Sequence, residues 1–147
     1  MAAFAAVKKI DGYLPIEDHG LIGDGTTAAL VGRDGAVSWI CVPRFDSAPL
    51  FCRILDVKRG GAFTVAPEGL IESRQFYEGD TGVLVTEMRS PSGVIRLTDG
   101  LSLRIKAGWM RLWSCTARSA RARAPWGCFL KKSIPQAGRF LATIRRR

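Results

Sequence analysis

The sequence predicts a mainly β domain of antiparallel strands, and three observations carry that prediction. Short apolar runs are punctuated by Gly, Asp and Pro at turn spacing, β-branched residues dominate the alternating stretches, and helical patterning is confined to the short segment Ala48 to Leu55. With 147 residues and 47% hydrophobic content the chain has enough apolar material for one domain with a real core.

The elements follow in order. The run TTAALV from Thr26, the turn GRDG and the run AVSWICV read as a hairpin, with Val37, Trp39 and Cys41 expected on one face. Asp34-Gly35 is its turn signal, because Gly adopts positive φ without steric cost and Asp can bond its own neighbouring backbone. Gly60-Gly61 leads into AFTVAP, a short strand, and Glu72 to Tyr77 is a further strand candidate. A second hairpin is expected from GVLVTEMR, SPSG and VIRLTD, where Val94, Arg96 and Thr98 face one way and Ile95 and Leu97 the other. Half-polar alternation of this kind fits a strand with one solvated face, as in an antiparallel sandwich.

Charge divides the chain. Residues 1–100 hold 10 Lys+Arg and all 13 Asp+Glu, a net −3, whereas residues 101–147 hold 12 Lys+Arg and no acid, so the overall +9 belongs to the tail. The tail also carries Trp109, Trp113 and Trp126 with Cys115 and Cys128, and shows neither sustained alternation nor a helical stripe. It reads as an irregular or disordered basic tail, although LWSCTARSARARA could form a basic helix. Its arginines and tryptophans superficially suit nucleic acid, but no known recognition pattern accompanies them. Cys41, Cys52, Cys115 and Cys128 form no CxxC pair and His19 is the lone histidine, so no structural zinc spacing is met and free thiols are expected. The apolar start Met1 to Val7 is too short for a signal-peptide core, and no run approaches the ~18 apolar residues of a membrane span. The default expectation is a soluble cytoplasmic protein.

Three constellations could carry chemistry. Gly23-Asp24-Gly25-Thr26-Thr27 has the Gly and Thr of a phosphate loop but neither its lysine nor the preceding strand, and reads as a glycine turn feeding a strand. Glu17, Asp18 and His19 are adjacent in sequence, which suits a hydrogen-bonded loop better than convergence on one substrate atom. The segment PRFDS is the more informative one. It places Arg44 and Asp46 directly after a strand holding Trp39, a polar fork and an aromatic that could share one rim, as sugar sites do; a structural Arg–Asp pair closing the loop is the plainer reading.

The run YLPIEDHGLIGDGTTAALVGRDGAVSWICVPRFDSAPLF, Tyr13 to Phe51, resembles the opening of bacterial glycoside hydrolases of family 15, the glucoamylase and trehalase-like enzymes, with mild variants at Thr27, Ala36, Val37, Ser38, Ile40 and Val42. The similarity continues more loosely through GGAFTVAP, Arg74 to Tyr77 and TGVLVTEMRSPSGVIRLTDGLSLR, about residues 10–104. It implies part of an antiparallel super-β-sandwich, the trehalase-like N-terminal domain, followed in the family by an (α/α)6 barrel. That barrel inverts α-glucosidic bonds with two glutamates about 6.5–9.5 Å apart, one the acid and one activating water. The resemblance therefore implies residues 10–104 as an incomplete accessory sandwich with no catalytic residue, no cofactor and no metal. Residues 105–147 are then a basic tail, either genuine or an out-of-frame translation. The implied partners are the catalytic barrel of the full-length enzyme and an α-glucan or trehalose. Trp39, Arg44 and Asp46 become candidates for a domain contact or the cleft rim. A small nucleic-acid-binding or carbohydrate-binding module is the alternative reading.

Overall fold

The computed structural model describes residues 2–101 and the backbone of three later strands, 111–118, 128–131 and 142–146. The strands are β1 (Ala5–Ala6), β2 (His19–Gly23), β3 (Ala28–Gly32), β4 (Ala36–Cys41), β5 (Pro49–Cys52), β6 (Ala62–Val65), β7 (Glu72–Tyr77), β8 (Leu84–Ser90), β9 (Gly93–Leu101), β10 (Arg111–Arg118), β11 (Cys128–Lys131) and β12 (Ala142–Arg146). One sheet runs β11-β6-β4-β3-β2 with β5 also on β4; the other runs β1-β7-β8-β9-β10-β12. All ladders are antiparallel except β10–β12. Mainly antiparallel β architecture is thus what the alternating runs specified.

Two inner faces meet in one core. Ile22, Ala29, Val31, Val37, Ile40, Phe51 and Phe63 come from one sheet, and Leu84, Met88, Ile95 and Leu97 from the other. The alternation read in the second hairpin is borne out: Ile95 and Leu97 are buried while Arg96 keeps partial exposure and an ion pair with Glu78. Close approach of the sheets depends on Gly20, where an added Cβ would lie 2.5 Å from a Leu84 methyl. Polar cross-links add direction. Gln75 Nε2 on the inward face of β7 donates to Val31 O at 3.2 Å, spanning the two sheets.

The first hairpin turns at Arg33, Asp34 and Gly35, with Gly35 N donating to Gly32 O at 2.9 Å and Gly35 at φ +77°. A three-residue loop ending in a left-handed residue is a standard hairpin solution, and Gly takes that position at no steric cost. Asp34 is buried at 5% exposure. Its carboxylate meets Lys9 Nζ at 2.7 Å and accepts from Ala36 N at 3.2 Å, so the charge is paired as burial requires. Arg33 reaches the other way: its guanidinium pairs with Asp18 at 2.8 Å and donates to Ala5 O and Ala6 O. The amino-terminal arm is therefore held by β7 through backbone pairing and by the hairpin turn through Arg33. Phe4 completes the attachment, lying under the guanidinium groups of Arg74 and Arg89 at 4.7 and 4.2 Å.

Three expectations need correcting or placing. Ala48 to Leu55 is not helical: Pro49–Cys52 is β5, because Phe51 is drawn into the core opposite Ile40, and tertiary pairing outweighs a short local pattern. Val37 and Trp39 do not share a face. Val37 pairs Val31 while Trp39 pairs Leu30, so a bulge at Ser38 inserts one residue and sends Trp39 to the face opposite the core. In the basic tail, β10 extends the β9 ladder from Arg111 opposite Leu101 to Arg118 opposite Val94. Within LWSCTARSARARA the first seven residues thus lie in a strand and the rest lies outside the described residues, as do 102–110 and 132–141. Among the described residues no helix is long and apolar enough to cross a membrane.

Candidate functional site

A well-bonded surface loop follows β4. Arg44 and Asp46 form a two-pronged pair, Nε to Oδ1 at 3.0 Å and Nη2 to Oδ2 at 3.2 Å, with both side chains more than half exposed. The fork geometry of guanidinium and carboxylate sets these distances, and solvent screening keeps the pair's contribution to stability small. Backbone bonds do more to shape the loop. Ser47 N donates to Arg44 O at 3.0 Å, Arg44 N donates to Ser47 Oγ at 3.1 Å, and Phe45 N donates to Thr26 O at 3.0 Å.

That last bond ties the loop to the glycine turn. Asp24 Oδ1 accepts from Thr26 N and Thr27 N, both at 2.8 Å, and Thr27 Oγ1 donates to Cys41 O. Gly23 to Thr27 is thus the structural turn its sequence suggested, with Gly25 at φ +81°. Its aspartate is spent on its own backbone. The β2–β3 turn and the β4–β5 loop of one sheet therefore brace each other and present one edge to solvent.

What they present is Phe45, 64% exposed between the two charged residues. Sequence reading selected its neighbours and passed over the phenylalanine itself. The available signal was an aromatic flanked by charges inside a Pro- and Ser-bounded loop instead of a strand. Trp39 sits on the strand, half-buried and across from Cys52 and Leu30. The structure brings Arg44 and Asp46 together and leaves Trp39 apart. Asp18 and His19 serve the fold, Asp18 on Arg33 and the His19 ring on Pro15 O at 2.9 Å.

Burial pushes the Cys41 thiol above its ordinary range, and the charges of Asp46 and Cys52 add to the shift. Because the thiolate is the reactive form, Cys41 is expected to resist iodoacetamide in mildly alkaline buffer while the half-buried Cys52 is alkylated, with the two rates converging in urea. The folded chain favours the neutral thiol. Stability from this group is present below the unfolded thiol's pKa and is lost as pH rises through the higher folded value. Among the described residues no group of three or more His, Cys, Asp or Glu is placed to hold a metal ion.

The fold is a β-sandwich, and the loop after β4 carries an exposed aromatic between two paired charges. The chain belongs to the trehalase-like N-terminal domain family, which it matches over residues 11–125. It is 40% identical over 93 residues to the trehalase of Thermoplasma volcanium, covering 61% of this chain and 15% of that protein. Trehalase 2 of Sulfolobus acidocaldarius is 36% identical over 90 residues, covering 61% of this chain and 15% of its own length. The trehalase of Mycolicibacterium smegmatis is 34% identical over 90 residues, at 60% and 13%. The chain thus spans only 13–15% of the length of these relatives. No solved structure matches it.

Proposed function

We propose that this chain is the accessory sandwich of a hydrolase of α-glucosidic bonds, of trehalase or glucoamylase type within glycoside hydrolase family 15. It packs beside a catalytic domain and does not itself cleave the bond. The carrying observation is the family match over residues 11–125 alongside relatives named as trehalases that are several times longer. Inverting hydrolysis needs an acid and a base held apart across the sugar, and such a pair is the work of the catalytic domain. The Arg44–Asp46 loop, and Trp39 on the neighbouring sheet face, then contact that domain or the rim of its sugar cleft.

The same reading takes residues 105–147 as a basic tail on the sandwich. The nucleotide sequence after codon 104, translated in all three frames, tests its origin: a second frame resembling trehalases supports a shifted frame, and the lack of one supports a genuine tail.

The functional test uses the chain alone and then joined to a partner. Alone, with trehalose or maltose, it is expected to release no glucose above buffer. Fused in place of the corresponding domain of the Thermoplasma volcanium trehalase, it is expected to support trehalose hydrolysis, and Arg44→Ala in the fusion to weaken domain association by about 1–2 kcal/mol. Glucose release by the chain alone, after contaminant controls, or a folded but inactive fusion would overturn the reading.

A further inference from the structure

The strand β2 lies at one end of its sheet, with β3 on one side and, among the described residues, no strand on the other. An edge of this kind exposes unpaired N–H and C=O groups and invites pairing with another chain. In an antiparallel ladder every second residue directs both backbone groups outward, and Leu21 in the middle of β2 is one of them. Its outward groups are not open. Leu21 N donates to the Tyr77 hydroxyl at 3.0 Å, and that hydroxyl donates to Leu21 O at 2.8 Å. One oxygen, both donor and acceptor, supplies what a facing strand residue would supply through its own N–H and C=O. The outward amide of His19 is also taken, by Ile16 O.

The tyrosine belongs to β7 of the opposite sheet, so this contact lies outside the ladder of β2. Leu21 and Tyr77 are nevertheless 55% and 45% exposed. Such exposure leaves the edge accessible to another strand once the hydroxyl is gone.

We propose that Tyr77 is an edge guard, and that without its hydroxyl two copies of this chain pair antiparallel through β2. The segment His19-Gly20-Leu21-Ile22-Gly23 is self-complementary for this. A two-fold axis at Leu21 sets that residue opposite its own copy, where the two exchange both backbone bonds, and places His19 opposite Gly23, bulk against space. It brings the two exposed leucines side by side and sets no like charges directly across.

The experiment compares the full chain with Tyr77→Phe by sedimentation over a concentration series and by hydrogen exchange at the Leu21 amide. The substitution removes one oxygen from a half-exposed ring, so the fold is retained. Two changes are expected: roughly tenfold faster exchange at Leu21 in dilute samples and roughly tenfold tighter self-association, each the scale of one or two lost hydrogen bonds. Adding Leu21→Lys to Tyr77→Phe should return association to the parent level, since two lysines would then face each other across the axis. Unchanged exchange at Leu21 overturns the capping role. Faster exchange without tighter association, or association that Leu21→Lys fails to reverse, overturns the pairing.

Discussion

Gly35→Ala is expected to remove a large fraction of the chain's stability. At φ +77° the residue sits where an L side chain costs about 1–2 kcal/mol. An added Cβ would also lie 2.1 Å from Val65 O, against a backbone that donates Val65 N to Gly35 O at 3.0 Å. Neither partner is a flexible side-chain end, so β6 must shift away from β4, at about 1–3 kcal/mol more. Against a typical total of about 5–15 kcal/mol such a loss is a large fraction. Gly25→Ala is the control, since Gly25 has φ +81° but nothing within 4 Å of an added Cβ. Urea unfolding followed by far-ultraviolet circular dichroism should place the Gly35→Ala midpoint well below that of Gly25→Ala. Equal midpoints would mean that Val65 yields without cost.

The second large effect is expected at the seam between the sheets. Leu84 is 1% exposed and lies where Gly20 lets the two backbones approach. Leu84→Ala removes buried methyl groups and leaves a cavity, at about 2–5 kcal/mol. Gly20→Ala is expected to cost about 1–3 kcal/mol, because its methyl would meet Leu84 at 2.5 and 2.7 Å. Combined, the new methyl enters the space that Leu84 vacates, so the double variant should be more stable than the sum of the singles by about 0.5–3 kcal/mol. A double-mutant cycle in urea measures this, and simple additivity would show that the two positions do not share the seam.

What was readable in advance divides along a physical line. Features fixed by neighbours in sequence were legible: the Asp34-Gly35 turn, the inward Ile95 and Leu97, the Asp24 turn and the Arg44–Asp46 pair all depend on residues a few positions apart. Features fixed across the fold were not. The bulge at Ser38 looks like uninterrupted alternation until the partner Leu30 is known, and Leu50 and Phe51 carry a local pattern that pairing with β4 overrides. The exposure of Phe45 belongs to the same group, since it depends on a bond to Thr26 from the β2–β3 turn, two strands earlier.

The arm held by Arg33 also bears on the order in which the chain can assemble as it is made. Ala5 pairs with Ser73, so β1 reaches its place only after roughly 3–14 s of further synthesis at about 5–20 residues per second. The hairpin carrying Arg33 emerges far sooner and closes locally. Arg33 and the carbonyls of Ala5 and Ala6 that it holds in the folded chain are all made before β7, so this attachment, unlike the β1–β7 pairing, requires no later part of the chain.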